Sequence, residues 1–136
     1  MIQNLNNQKI HQLIPKFRAW DKECKEMATV TKIQFTDSGF EDPYVVLDTR
    51  CDLLSFDEIN LMQCTGLRDK NDVDVYQGDY VKTSACDTCY HEIILTEKYG
   101  MPMWYLSGID KEYFWTGMEE IIGNRYENPE LLEDSI

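Results

Sequence analysis

The sequence predicts a mainly β fold, namely a small barrel or meander of short antiparallel strands with one or two short helical turns. Segments of strand composition recur at intervals of about eight to twelve residues, and turn-forming Gly, Asp, Asn and Pro separate them. The 136 residues are 43% hydrophobic and 12% aromatic, which supplies a packed core despite a net charge of −12. We expect residues 1–14 to form a flexible N-terminal arm and residues 15–136 to form a single β-rich domain.

The first predicted element is a hairpin. Residues 16–20 alternate, so that Phe17 and Ala19 face one side of a half-buried strand. Residues 29–36 alternate in the same way, and the polar run 21–26 between the two segments is typical of a turn. We therefore predict that these two strands pair with each other.

The middle of the chain is ambiguous. Tyr44–Leu47 has strand composition, whereas the segment Leu53–Met62 places Ser55 three residues before Glu58, which is the spacing of a capping box. A short helix is therefore predicted within this segment, and a strand is predicted over residues 61–64.

The second half of the chain predicts four further strands and a terminal helical turn. Gly78, in the turn before the first of these strands, can adopt a positive φ that other residues resist. Asn128 and Pro129 are the residue types favoured at the cap and the first position of a helix. The four predicted strands are Tyr80–Thr83, Tyr90–Thr96, Met103–Leu106 and Glu119–Gly123.

The charge distribution argues against several functions. Residues 1–68 carry 8 basic and 10 acidic side chains, whereas residues 69–136 carry 5 and 15. Direct binding to a phosphate backbone relies on clustered Lys and Arg, so we expect no direct contact with nucleic acid.

The sequence has no apolar run of the roughly 18 residues that a membrane span needs, and its N-terminus lacks the pattern of a secretion signal. We therefore expect a cytoplasmic protein that does not bind membranes.

The five cysteines are unevenly spaced and odd in number, which predicts reduced thiols rather than a disulfide framework. Cys86 and Cys89 form a C-x-x-C pair, and His91 could add a nitrogen ligand to a zinc ion held by both thiolates. A structural zinc site needs four ligands, and the other three cysteines form no second pair. Asp87 lies between the two thiols and works against a redox-active thiolate. A hairpin loop with two incidental thiols is the favoured interpretation.

The sequence predicts no catalytic constellation. His11 and His91 are the only histidines, and His91 follows Cys89 by two residues, so that both would face one side of a strand. Nothing in the sequence supplies a recognisable oxyanion hole for such a pair, and no Gly-rich phosphate loop is present. We therefore expect no enzyme activity, no catalytic residues, no cofactor and no metal site.

Aromatic residues are concentrated in residues 104–115. A platform on which bases stack would also need basic side chains, and this region offers only Lys111. A core or a subunit interface is the better explanation, and we expect a homo-oligomer. The clustered aromatics are Trp104, Tyr105, Tyr113, Phe114 and Trp115.

Three stretches of the sequence form a recognisable series. They are KFRAWD at residues 16–21, LMQCTGLRDKN and VYQGDYVK at residues 61–71 and 75–82, and IIGNRYENPELLE at residues 121–133. Their order and spacing resemble the YopX family of phage and prophage proteins. This resemblance implies a mainly β domain encoded by a phage or an integrated prophage, with no established biochemical activity and no catalytic residues to carry over.

Three hypotheses for the function follow. The first is a non-enzymatic phage or prophage accessory protein that associates with itself and contacts a host or phage protein. The second is a DNA mimic, whose acidic second half would occupy the basic cleft of a host nucleic-acid enzyme. The third is a small zinc-binding protein that uses Cys86, Cys89 and His91.

Overall fold

The structure is a computed structural model that describes residues 15–36, 42–98, 100–108 and 113–133. The predicted arm at residues 1–14 lies outside these ranges. Within them the chain forms ten strands, one 3-10 helix at Phe56–Glu58 and one α-helix, α1, at Glu130–Glu133. The strands are β1 (Phe17–Asp21), β2 (Glu26–Gln34), β3 (Tyr44–Leu47), β4 (Arg50–Leu54), β5 (Ile59–Arg68), β6 (Asp74–Tyr76), β7 (Asp79–Thr83), β8 (Cys86–Lys98), β9 (Met101–Leu106) and β10 (Glu120–Asn124).

The strands form two antiparallel sheets, which confirms the mainly β prediction. The first sheet has six strands in the order β4-β3-β2-β1-β5-β6, and the second has four in the order β10-β7-β8-β9. Each sheet has two different end strands, so the described strands make open sheets rather than a closed barrel. Most neighbouring strands are also consecutive along the chain, as in the predicted meander.

The predicted N-terminal hairpin is confirmed. β1 pairs with β2, with Arg18 opposite Thr29 and Asp21 opposite Glu26. Ala19 is fully buried, whereas its neighbour Arg18 points to the other face of the sheet and contacts β7. Alternation along five residues therefore divides β1 between a core on one face and a sheet-to-sheet contact on the other.

The segment Leu53–Met62 is mostly extended rather than helical. β4 ends within it, and only the single 3-10 turn at Phe56–Glu58 separates that strand from β5. The Glu58 carboxylate accepts a hydrogen bond from the backbone N–H of Ser55 at 2.8 Å, so this half of the predicted capping box forms. The helix ends after one turn because the next residues pair with β1.

Buried apolar side chains form two separate cores. Six belong to strands β1 to β5 of the six-stranded sheet and are Ala19, Ala28, Val45, Leu47, Leu54 and Ile59. Four form the second core and are Val75, Val81, Ile93 and Leu106. Val75 lies on β6, so the last strand of the first sheet contributes to the core of the second.

The C-terminal segment contains the predicted helical turn, α1. Before it, the Oδ1 atom of Asn128 accepts a hydrogen bond from the N–H of Asn124 at 3.2 Å, and the Asn128 N–H donates to the Asn124 carbonyl at 2.9 Å. α1 has four residues, and none of the described helices has the length and apolar character of a membrane crossing.

Gly123 lies against this turn and yields a testable prediction. A Cβ atom at Gly123 would approach Asn128 Oδ1 to 2.6 Å and Asn128 Cγ to 2.9 Å. We expect Gly123→Ala to lower the free energy of unfolding by about 1–3 kcal/mol, measured by urea denaturation, because the Asn128 side chain must move.

The matched control is the same substitution in an Asn128→Gly background, where the clashing atoms are gone. If steric overlap is the cause, Gly123→Ala costs less in that background than in the natural chain. An equal cost in both backgrounds would rule out the overlap.

Candidate functional site

The three stretches that form the recognisable series meet where the two sheets join. We call this region the motif junction and define it by Arg18 and Trp20 of β1, Asp79 of β7, and Arg125 and Tyr126 after β10. Arg18 Nη2 lies 2.6 Å from Asp79 Oδ1. The rings of Trp20 and Tyr126 stack with centroids 5.8 Å apart and planes inclined by 16°. Each stretch thus contributes side chains that contact another stretch.

The ion pair between Arg18 and Asp79 is nearly excluded from water. The side chain of Asp79 is 2% exposed and that of Arg18 is 15% exposed. Asp79 Oδ2 also accepts the N–H of Tyr76 at 2.8 Å, which Gly78 allows by turning the chain with a φ of +89°. Burial raises the pKa of Asp79, while Arg18 and the Tyr76 N–H act in the opposite direction. Both oxygens of this carboxylate are therefore engaged.

A second buried carboxylate, Asp21, holds the β1–β2 turn. Its Oδ1 accepts the N–H groups of Glu23 and Cys24, each at 3.1 Å, and its Oδ2 lies 3.1 Å from Nε of Arg50. Asp21, Cys24 and Glu26 bring three potential metal-ligand atoms within 4.8 Å of one another. Burial, and next the charge of Asp21, raise the pKa of the Cys24 thiol. Because Arg50 supplies the cation that faces Asp21, this arrangement stabilises the β1–β2 turn.

A third buried carboxylate, Glu119, organises the loop before β10. It is fully buried and accepts the Tyr113 hydroxyl at 2.5 Å, the Thr116 N–H at 3.0 Å and the Gly117 N–H at 2.8 Å. Burial raises the pKa of Glu119, but the hydrogen bonds from Tyr113 and the Thr116 N–H outweigh it, and the net pKa is lowered. Burial, together with Glu119, raises the pKa of Tyr113 to about 12. The pair is thus a carboxylate held by a neutral phenol.

A fourth buried carboxylate, Asp69, stabilises the turn before β6. Its Oδ1 accepts the N–H groups of Asn71 at 2.9 Å and Val73 at 3.0 Å, and its Oδ2 accepts that of Ile121 at 3.1 Å. Asp69 therefore ties this turn to β10 in the second sheet. Like Glu119, it accepts hydrogen bonds from backbone N–H groups that the pairing between strands leaves without a partner.

The structure corrects the expectation of five reduced thiols. Cys86 and Cys89 are joined by a disulfide, with Cα atoms 5.4 Å apart, and β8 begins at Cys86 instead of after the predicted loop. His91 uses Nδ1 in a hydrogen bond of 2.7 Å to the carbonyl of Ser107. Two sulfur atoms bonded to each other are not thiolates, so in this state Cys86 and Cys89 are not available as the ligands that the zinc hypothesis requires.

The aromatic cluster divides between core and surface. Trp104, Tyr113 and Trp115 pack against the second core, which is one of the two locations that the sequence suggests for the cluster. The indole N–H of Trp115 also donates to the carbonyl of Arg68 at 2.9 Å. Phe114, in contrast, is 79% exposed.

The acidic side chains of the second half that the structure describes divide into buried, ion-paired and exposed groups. Three acidic side chains there are buried, as described above. Four more form ion pairs with Arg or Lys, which are Asp72, Asp74, Glu92 and Glu120. Glu97, Glu127 and Glu130 are exposed, so part of this acidity is directed outward, and the DNA-mimic hypothesis stays a prediction.

Comparisons with known proteins agree with the sequence resemblance. A family model described as YopX protein matches residues 16–133. The chain is also similar to a solved structure, the crystal structure of protein EF1440 from Enterococcus faecalis, at 28% sequence identity and a TM-score of 0.59. That alignment covers 89% of this chain and 99% of the other. No curated protein matches the sequence.

Proposed function

The chain belongs to the YopX protein family, and from this premise we propose that it is a non-enzymatic interaction module encoded by a phage or prophage. The module associates with copies of itself and contacts a host or phage protein in the bacterial cytoplasm. It requires no cofactor, and it binds neither nucleic acid nor membranes directly.

The observation that supports this proposal is that the side chains of the motif junction contact one another. In a shared active site, reactive atoms would be directed into a cleft that admits a substrate. At the motif junction the charged atoms of Arg18 and Asp79 face each other across the two sheets, and Trp20 covers Tyr126. These residues act as a scaffold, which leaves the outer surface of the sheets for a partner.

Self-association is supported by an exposed apolar pair in the loop before β10. Phe114 is 79% exposed and Met118 is 59% exposed. Large apolar side chains of this kind are enriched in interface cores, where burial against a second copy removes them from water. Because each chain carries a net charge of −12, two copies repel each other. Salt screens that repulsion, so self-association should strengthen as the ionic strength rises.

We expect Phe114→Ser to weaken self-association about tenfold or more, as for an interface aromatic that contributes at least ~1.4 kcal/mol. Sedimentation velocity over a concentration series, at low and high salt, measures the effect. The matched control is Phe35→Ser, because Phe35 is 69% exposed and follows β2 in the other sheet.

Three results would contradict this part of the proposal. The first is a natural chain that stays monomeric at every concentration and salt. The second is a Phe114→Ser variant that sediments as the natural oligomer does, and the third is a Phe35→Ser variant that dissociates equally.

A further inference from the structure

The disulfide between Cys86 and Cys89 lies beside the turn that joins β7 to β8, at the closed end of the hairpin. Thr83 pairs with Cys86 and Lys82 pairs with Tyr90. In the register of the described strands, residues 87–89 therefore lie between these two pairs without a counterpart on β7. The disulfide closes this bulge, and Cys89 at its end is exposed to solvent.

We propose that this disulfide is a thiol–disulfide exchange site that low-molecular-weight thiols reduce, and that low-molecular-weight disulfides reoxidise, while the protein stays folded. The proposal concerns chemistry at a surface bond and does not depend on the interaction function proposed above.

The exchange is a two-step reaction. The thiolate of the external thiol attacks Sγ of Cys89, the sulfur–sulfur bond breaks, and Cys86 leaves as a thiolate. A second external thiolate then attacks the mixed disulfide on Cys89, releases the external disulfide and leaves Cys89 as a thiolate. Two external thiols thus supply two electrons, and their two protons end on Cys86 and Cys89.

The surroundings of the two sulfurs support this order of attack. Cys89 is exposed, whereas Cys86 is half-buried, so an external thiol reaches Cys89 more easily. Sγ of Cys86 lies 3.6 Å from Oγ1 of Thr88. That hydroxyl can donate to the departing thiolate and stabilise it.

The fold does not depend on this bond. Neither cysteine belongs to either apolar core, and pairing between β7 and β8 continues from Tyr90 onward. A disulfide between residues three positions apart restricts the unfolded chain only slightly, because it closes a very short loop. Reduction should therefore release the bulge and leave both sheets in place.

The test equilibrates the full chain with a series of mixtures of reduced and oxidised glutathione. Thiols are then alkylated after acid quenching, and intact-mass spectrometry counts the alkyl groups on each chain. We expect three alkylated thiols at the oxidising end, which are Cys24, Cys51 and Cys64, and all five at the reducing end, with two thiols gained together. Circular dichroism and tryptophan fluorescence should not change across the series.

Single substitutions identify the sulfur atoms that take part in the exchange. Cys24→Ser, the matched control, should keep the two-thiol transition, whereas Cys86→Ser and Cys89→Ser should abolish it. Cys86→Ser should accumulate more glutathione adduct than Cys89→Ser, because it retains the exposed sulfur and lacks the leaving thiol. A constant count of five or of three thiols, or unfolding on reduction, would overturn the proposal. Equal adducts on the two variants would overturn the assignment of Cys89 as the attacked sulfur.

Discussion

Asp79→Asn should lower the free energy of unfolding by about 3–5 kcal/mol, the loss seen when one partner of a buried ion pair is removed. The substitution leaves the guanidinium of Arg18, only 15% exposed, without its carboxylate. It also places an amide group where both carboxylate oxygens now accept hydrogen bonds. Urea denaturation followed by tryptophan fluorescence measures the change, and a loss of this size unfolds many domains of ordinary stability.

The matched control is Asp72→Asn. Asp72 also pairs with an arginine, Arg68, at 3.1 Å, but its side chain is 81% exposed. We expect a change below about 1 kcal/mol, because water and salt screen an exposed pair. If both substitutions cost the same, burial does not strengthen the pair at the motif junction.

Glu119→Gln should lower the free energy of unfolding by about 2–3 kcal/mol near neutral pH. The carboxylate accepts hydrogen bonds from Tyr113, Thr116 and Gly117, and bonds to a charged acceptor contribute more than bonds to an amide. An exposed residue of the same type, Glu97 on β8, provides the control. Glu97→Gln should change the stability by no more than about 0.5 kcal/mol.

The effect of Glu119→Gln should depend on pH. The folded-state pKa of Glu119 is lowered from the ordinary value of 4.5. The unfolded chain therefore binds the proton more readily, and the stabilisation is fully present above pH 4.5 and is lost as the pH falls through the folded pKa. Urea denaturation at about pH 7 and at successively lower pH should show the natural chain and the variant converging. A difference that stays constant or widens toward acid would contradict the lowered pKa.

Local patterns were sufficient to predict much of the fold. Alternation predicted β1 and its hairpin, and Gly78 predicted the positive φ of the turn before β7. β4 was missed, because its polar residues Arg50 and Asp52 hide the alternation and the strand depends on pairing with β3. Pairing between distant strands also limited the length of the short helix, which ends where β5 begins to pair with β1.

The candidate site was harder to predict than the fold. Arg18 and Asp79 are 61 residues apart, so no spacing rule relates them, and only the folded chain brings them together. The burial of Glu119 also had no local signal, since its neighbour Glu120 has the same residue type and is partly exposed. The disulfide was missed because the bulge on β8, rather than the C-x-x-C spacing alone, brings Cys86 and Cys89 together.

The most direct test of the scaffold role is a double-mutant cycle of Arg18→Met and Asp79→Asn, with the free energy of unfolding measured for each variant. If the motif stretches join the two sheets, the double variant loses less stability than the two single variants together, with a coupling energy of about 1–3 kcal/mol. Additive losses within about 0.5 kcal/mol would show that the two residues act independently, and that the side chains of the motif junction serve something other than the fold.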